Sequence, residues 1–224
     1  ECRYHLNSAP ASHKEEAEKS MIFLTEGDSA AGTITKSRNS DYQAIFALRG
    51  KILNVQGKNR TEIYKNEELY NMMIALGIEE SIENLRYGKV VIATDADVDG
   101  FHIRILIMTY FFTYFEELIE QGRLYILETP LFRVRNKKEN CYCYSEDERD
   151  EAIKKIKGAE VTRFKGLGEI SPNEFKAFIG DDIRLVPVTY DSLAEIRREM
   201  EFYMGDNTPD RRDFIMENLL DGTS

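Results

Sequence analysis

Lys89-Val-Val-Ile-Ala-Thr-Asp-Ala-Asp-Val-Asp-Gly100 is the stretch on which the reading of this 224-residue chain turns. Val90–Ala93 is an unbroken apolar run rich in β-branched residues, the pattern of a strand buried on both faces. Asp95, Asp97 and Asp99 follow it at once, so the first carboxylate stands where the strand leaves the sheet. In an open parallel sheet that edge is where ligands bind. Three acids in five positions repel one another unless a cation holds them, and hard oxygen donors at this density suit Mg²⁺. The plain structural counter-reading is a solvated acidic turn.

A second motif has the same form. Met21-Ile-Phe-Leu-Thr25 is apolar and runs into Glu26-Gly-Asp-Ser29 and the small residues Ala30-Ala-Gly32, where a turn is easy and a helix can start. Alone it reads equally as a turn with a helix cap. The two motifs serve one site only if their strands are neighbours, and metal held between them would then suit phosphoryl transfer. Ala44–Leu48 and Leu124–Leu127 are further buried strands. Between the strands, Glu67–Leu76 is a helix stopped by Gly77, and Ile103–Gln121 a longer one stopped by Gly122. Its segment Ile105–Phe115 is apolar nearly all round, as in a buried helix. The alternation predicts an α/β fold with a mainly parallel sheet flanked by helices.

Beyond Pro130 the character changes. Phe132–Val134 and Tyr142–Tyr144 read as strands about the basic turn Arg135–Lys138, Asp147–Lys157 and Leu193–Met204 as charged helices, and Asp210-Arg-Arg-Asp-Phe214 closes the unit. The expected organisation is a linker at 1–20, a metal-binding domain at 21–134 and a smaller α+β tail unit at 135–224. With 42% hydrophobic residues the chain can bury a core. No stretch approaches the roughly 18 apolar residues of a membrane span, and Glu1-Cys-Arg-Tyr-His5 has no signal-peptide organisation. Both predict a cytoplasmic protein with no membrane partner. Cys2, Cys141 and Cys143 form no CxxC pair, so zinc and disulfides are weak readings. The net charge of −10 argues against coating nucleic acid electrostatically. Yet between Thr33 and Arg60 stand Lys36, Arg38, Arg49, Lys51, Lys58 and Arg60 against Asp41 alone, which predicts a local anion-binding face.

Two rivals share the Asp-x-Asp signature. An EF-hand loop opening at Asp95 has Leu106 at its twelfth position, where a bidentate Glu is required. That reading fails. A haloacid-dehalogenase-like Mg²⁺-dependent phosphohydrolase also has Asp-x-Asp after a strand, with a later Lys and acidic pair that Lys165 and Gly180-Asp-Asp182 mimic. It leaves Glu26 unexplained, and Asp99 stands where Thr or Val is usual. A non-catalytic docking module is the third reading.

The two motifs together resemble the toprim domain, the metal module of type II topoisomerases and primases. The order of Glu26-Gly-Asp-Ser-Ala30, Leu48-Arg-Gly-Lys-Ile-Leu-Asn54, Asp95-Ala-Asp-Val-Asp-Gly-Phe-His-Ile103, Pro130-Leu-Phe-Arg-Val134 and Arg163-Phe-Lys-Gly-Leu-Gly-Glu169 narrows the resemblance to the bacterial type II topoisomerase B subunits over most of residues 20–224. General likeness leans to the topoisomerase IV branch over gyrase. The resemblance implies that Glu26, Asp95 and Asp97 bind one or two Mg²⁺ ions, with Asp99 as an outer or alternative ligand, and that Glu26 also serves as acid or base. It implies Lys51, Asn54 and His102 near DNA, and Asp28 and Arg49 where quinolone drugs approach. It further implies double-stranded DNA and an A subunit as partners in an A₂B₂ heterotetramer at the nucleoid, a nucleophilic tyrosine on that A subunit, and ATP bound only in the full-length protein, because this chain has no ATP loop. Lys165-Gly-Leu-Gly168 lacks the Gly-Lys-Ser/Thr of such a loop, and a packing role is expected for it. Ala31, Arg49 and Ile170 depart from the family's usual Gly, Lys and Met.

Overall fold

Five strands build the main sheet: β1 (Met21–Glu26), β2 (Gln43–Leu48), β3 (Lys89–Ala93), β4 (Leu124–Glu128) and, from much later in the chain, β8 (Arg184–Pro187), in the order β2-β1-β3-β4-β8. The first four are parallel and β8 pairs antiparallel to β4. In this computed structural model the described residues are 18–49 and 52–189. The chain divides into compact units Glu1–Pro187 and Val188–Ser224, and all the elements named below belong to the first. The helix expected at Leu193–Met204 and the segment 210–214 lie outside the described residues.

Burial on both faces explains why β1 and β3 are apolar nearly throughout. Met21, Phe23, Val91 and Ala93 face Ala30 and Ile34 of α1 (Gly27–Ser37) in one core. Ile22, Leu24, Val90 and Ile92, pointing the other way by the period of two, are fully buried as well. Right-handed crossovers assign the layers. The chain steps outward from β1 to β2 through α1, then back across β1 to β3 through α2 (Arg60–Tyr64) and α3 (Glu67–Leu76), and on to β4 through α4 (Val98–Tyr114). The reversal of direction at β1 puts α1 on one face and α3 and α4 on the other.

The helix ends follow from local chemistry. Asn66 accepts from Leu69 N–H at the start of α3, and Gly77 ends it at φ 79, where a left-handed residue is needed. Helix α2 opens with a reciprocal capping box between Asn59 and Glu62, an Asn-x-x-Glu signal that the apolar pattern had not brought out. Ile105–Phe112 of α4 are all buried, as the all-round apolar pattern implied. The single helix expected over Ile103–Gln121 is corrected, however. It begins earlier, at Val98, and breaks at Phe115 (φ −139, ψ 44) before the short α5 (Glu116–Glu120). The break folds the Phe115 ring back onto Tyr110 and Phe111, at 5.3 and 6.3 Å between centroids.

A three-stranded antiparallel sheet, β6-β5-β7, is made by β5 (Phe132–Arg135), β6 (Asn140–Cys143) and β7 (Glu160–Arg163). Its core of Phe132, Val134 and Cys143 packs on Ala152 and Ile156 around α6 (Glu146–Lys155). Cys141 and Cys143 are free thiols with Sγ atoms 4.0 Å apart on one face of β6. Helix α7 (Pro172–Phe178), started by the Ser171 cap and by Pro172 at its first turn, returns the chain to the α1 face. Arg133 of β5 and Tyr142 of β6 both donate to Glu174 Oε1 of α7, at 2.6 and 2.7 Å, and Ser171 Oγ donates to its Oε2 at 2.7 Å. This joins the small sheet to the helix. Among the described residues no helix is long and apolar enough to cross a membrane.

The Tyr142 hydroxyl and Arg133 hold the Glu174 carboxyl down at about 2, against an ordinary 4.5. Because the folded value is the lower one, the stabilisation is present above pH 4.5 and is lost as pH falls toward 2. Urea denaturation of the wild type should therefore lose roughly 2 kcal/mol more over that window than Glu174→Gln does. Parallel pH profiles for the two proteins would remove the assignment.

Candidate metal centre

Glu26 is the last residue of β1 and Asp95 lies two residues past the end of β3. The two strands are adjacent and in register, with Ile22 opposite Val90 and Thr25 opposite Ala93, so Glu26 and the aspartate turn leave the same edge side by side. Strand β1 is also where the strand order reverses, the topological switch point at which open α/β sheets bind ligands. The condition set by the sequence, that the two acidic strands be neighbours, is met.

The turn is wound tightly onto α4. Asp97 caps that helix, its Oδ1 accepting from Gly100 N–H at 2.8 Å. A Cβ at Gly100 would lie 2.2 Å from the Asp95 carbonyl oxygen, so no larger residue fits. Across the edge, α1 starts at Gly27, whose φ of 68 turns the chain sharply after Glu26. Asp28 lies exposed in the first turn of α1, where its charge meets the positive end of the helix dipole. Ala31 falls within α1, a position that favours alanine.

Burial raises the Glu26 carboxyl above its usual range, and Asp95, Asp97 and Asp99 raise it further by repulsion. Asp95 is raised by burial too, with Asp97 and Glu169 adding and the Leu167 backbone N–H opposing. Glu26 Oε2 is buried without a hydrogen-bond partner. An orphaned buried carboxylate oxygen within a group of mutually repelling acids fits a hard divalent cation. As the side chains stand, among the described residues no three potential ligands close on one point. Asp95 and Asp97 each accept a backbone N–H on one oxygen.

The amide on Asp95 comes from a loop that the sequence assigned to packing. Leu167 N–H donates to Asp95 Oδ1 at 2.8 Å, across 72 positions of chain. A Cβ at Gly166 would meet Asp95 Oδ2 at 2.7 Å, and one at Gly168 would meet Ser29 Oγ at 2.6 Å. Leu167 is buried in the core beneath, with Ala30, Ile34 and Ile170. The loop therefore does pack, as expected, and it also fixes one carboxylate of the site. The signal for the second role was the Gly-Leu-Gly spacing itself, with glycine on either side of an anchoring leucine.

The remaining sequence candidates are less closely gathered. His102 is half-buried in the second turn of α4. Arg49 is exposed just past β2, and its backbone and charge act on Glu68 of α3. Asn54 Oδ1 accepts from Gln56 N–H at 3.1 Å in a local turn. Lys51 lies outside the described residues. The expected basic face is not one surface. Helix α1 runs away from the acidic edge, so Lys36 and Arg38 end at the opposite side of the sheet, where Arg38 donates to the Gln43 carbonyl at the start of β2. A cavity around Tyr110 and Tyr114, too, lies elsewhere.

A family model described as the Toprim domain matches residues 21–129, and one described as the DNA gyrase B subunit carboxyl terminus matches residues 156–216. The B subunit of DNA topoisomerase 4 from Borreliella burgdorferi is 63% identical over 222 residues, covering 98% of this chain and 36% of that protein. The DNA gyrase B subunit of Thermotoga maritima is 38% identical over 96% of this chain and 35% of its own length, and that of Spiroplasma citri 40% over 91% and 33%. The chain thus spans about a third of the length of these relatives. Among solved structures, the Plasmodium falciparum topoisomerase II DNA-binding, cleavage and re-ligation domain has the same fold, with a TM-score of 0.77 at 24% identity over 92% of this chain and 30% of that one.

Replacing Gly166 by Ala should destabilise the chain by roughly 1–3 kcal/mol through the clash with Asp95 and shift the Leu167 amide resonance. Gly32→Ala, in α1 with nothing near its added methyl, should instead be neutral or stabilising by up to about 1 kcal/mol. Equal effects in urea denaturation would contradict the assigned contact.

Proposed function

This chain belongs to the B-subunit family of type II DNA topoisomerases, of which it carries the Toprim domain and the gyrase-B carboxyl-terminal region, and on that premise we propose that it is the metal-holding half of a DNA-cleavage site. The observation that carries the reading is the parallel pairing of β1 with β3, which sets Glu26, with its partnerless buried oxygen, beside the Asp95–Asp99 turn. Glu26, Asp95 and Asp97 are the ligands of one or two Mg²⁺ ions, with Asp99 outside them. When bound there, Mg²⁺ supplies positive charge to a phosphodiester and to its leaving 3′ oxygen.

This chain's residues then hold and orient. The backbone of Gly166 and Leu167 fixes Asp95, and the Gly100 N–H fixes Asp97. Glu26, its carboxyl already raised by burial, is the group for taking or returning a proton at the 3′ oxygen. Lys51, Asn54 and His102 position the DNA backbone, Lys51 as a compact point charge, and Asp28 and Arg49 flank the region where quinolones enter. The nucleophile is a tyrosine of the A subunit, so the working assembly is an A₂B₂ heterotetramer on double-stranded DNA, in the cytoplasm at the nucleoid. ATP acts in the part of the full-length protein that these residues do not include. We divide the chain into a linker at 1–20, the toprim part at 21–134 and a tail at 135–224 that docks the A subunit. Identity of 63% to a topoisomerase IV relative against 38–40% to the gyrase relatives compared favours topoisomerase IV. The phosphohydrolase reading has no use for Glu26, whose strand is paired with that of the aspartates.

Mixed with a matching A subunit and supercoiled plasmid, the chain should give Mg²⁺-dependent, protein-linked DNA breaks, and Glu26→Gln or Asp97→Asn should reduce them on the order of a hundredfold or more. Intact cleavage in both variants would sink the metal assignment. Supercoiling and DNA-wrapping assays with the native partner separate topoisomerase IV from gyrase.

A further inference from the structure

At the far end of α4 from the acidic turn lies a cavity of about 460 Å³, lined by residues of α2, α3, α4 and α5 and the 78–82 loop. Tyr110 stands thirteen positions beyond Asp97 along the chain, which puts the cavity about 20 Å from that turn. Its volume falls in the range of small-ligand sites. Nothing in the reading of the metal centre uses it.

The lining has two parts. The inner wall is apolar and aromatic, with Ile63, Met73 and Ile78 beside Tyr110, Tyr114 and Phe115. Tyr64, 43% exposed, stands over it and contacts the Tyr70 ring edge-on. The rings are held in place by other groups. The Tyr110 ring contacts those of Tyr114 and Phe115, and the Tyr114 hydroxyl donates to the Lys58 carbonyl. The mouth is acidic, carrying Glu79, Glu80, Glu116 and Glu117 against Arg60 alone. Glu79 already accepts from the Tyr70 hydroxyl at 3.1 Å. Among the described residues Glu80, Glu116 and Glu117 make no ion pair. Fixed aromatic rings with an acidic mouth suit a cation that brings its own apolar surface, since ring faces attract positive charge and unpaired carboxylates add long-range attraction. An anion would meet the carboxylates first, and a bare metal ion would find ring walls instead of converging oxygens.

We propose that this cavity, framed by Tyr64, Tyr110, Tyr114 and Phe115 and rimmed by Glu80, Glu116 and Glu117, binds a small organic cation, an ammonium group on an apolar body. The site is separate from the cleavage reading and stands or falls without it. Choline is the probe, and 3,3-dimethylbutan-1-ol, of the same shape without the charge, is its control. Titrated into the full chain and followed by amide and tyrosine-ring NMR shifts, choline should saturate with shifts confined to the lining residues, at least about tenfold more tightly than the neutral alcohol. Tyr114→Ala should abolish saturation. The double variant Glu80→Gln/Glu117→Gln, which leaves the aromatic wall intact, should weaken it about fivefold or more. No saturation by about 50 mM choline, equal binding of the alcohol, or indifference of the well-folded double variant would each overturn the proposal.

Discussion

Everything in the candidate centre depends on parallel pairing between β1 and β3. Both strands are buried on two faces, so each is fixed by its whole length of apolar side chains and not by the acids at its end. The register that sets Thr25 opposite Ala93 also fixes where the first polar residue of each strand emerges. A slip of one residue would exchange the faces of Ile22 and Phe23 and bring a buried layer apart. The acids are thus gathered by the hydrophobic core, against their own repulsion. Burial first, and that repulsion after it, raises the Glu26 and Asp95 carboxyls.

The second constraint joins distant parts of the chain. Leu167 sits in the same core as Ala30 and Ile34, and its burial delivers its own N–H to Asp95. Glycine at 166 and 168 lets the backbone come within reach of Asp95 and Ser29. The region matched by the gyrase-B carboxyl-terminal model therefore contributes backbone to an edge built by the region matched by the Toprim model. Strand β8, pairing with β4, closes the same sheet from the same side of the sequence. Among the described residues, Leu167, Phe175 and Ile179 of the second region share one core with Phe23, Ala30 and Val91 of the first.

Much of the fold was legible because it rests on periodicity. The buried runs of β1 to β4, the helix stopped by Gly77 and the all-round apolar α4 are statements about which side chains avoid water. Short elements were less legible: α2 and α7 are too short for a period to register and are announced only by caps, Asn59 with Glu62 and Ser171 with Pro172. The break at Phe115 had no local signal, since neither glycine nor proline marks it, and it is set by ring packing against Tyr110 and Phe111. The basic run from Lys36 to Arg60 misled for a related reason. Linear proximity placed Arg38 with Arg49, whereas α1 carries Arg38 to the opposite side of the sheet before β2 returns.

By itself the sequence determined the α/β class, the strand-end positions of Glu26 and Asp95, and the chemistry of hard oxygen donors, because each follows from residue type and local pattern. Strand order decided that the two acidic motifs share one edge, and no local pattern encodes strand order. Tertiary packing alone turned Gly166 and Leu167 from part of a packing loop into the clamp on Asp95. Those contacts span 72 positions of chain, and only burial in a common core brings such distant backbone within hydrogen-bonding reach. The same core that hides Leu167 from water holds one carboxylate of the centre in place.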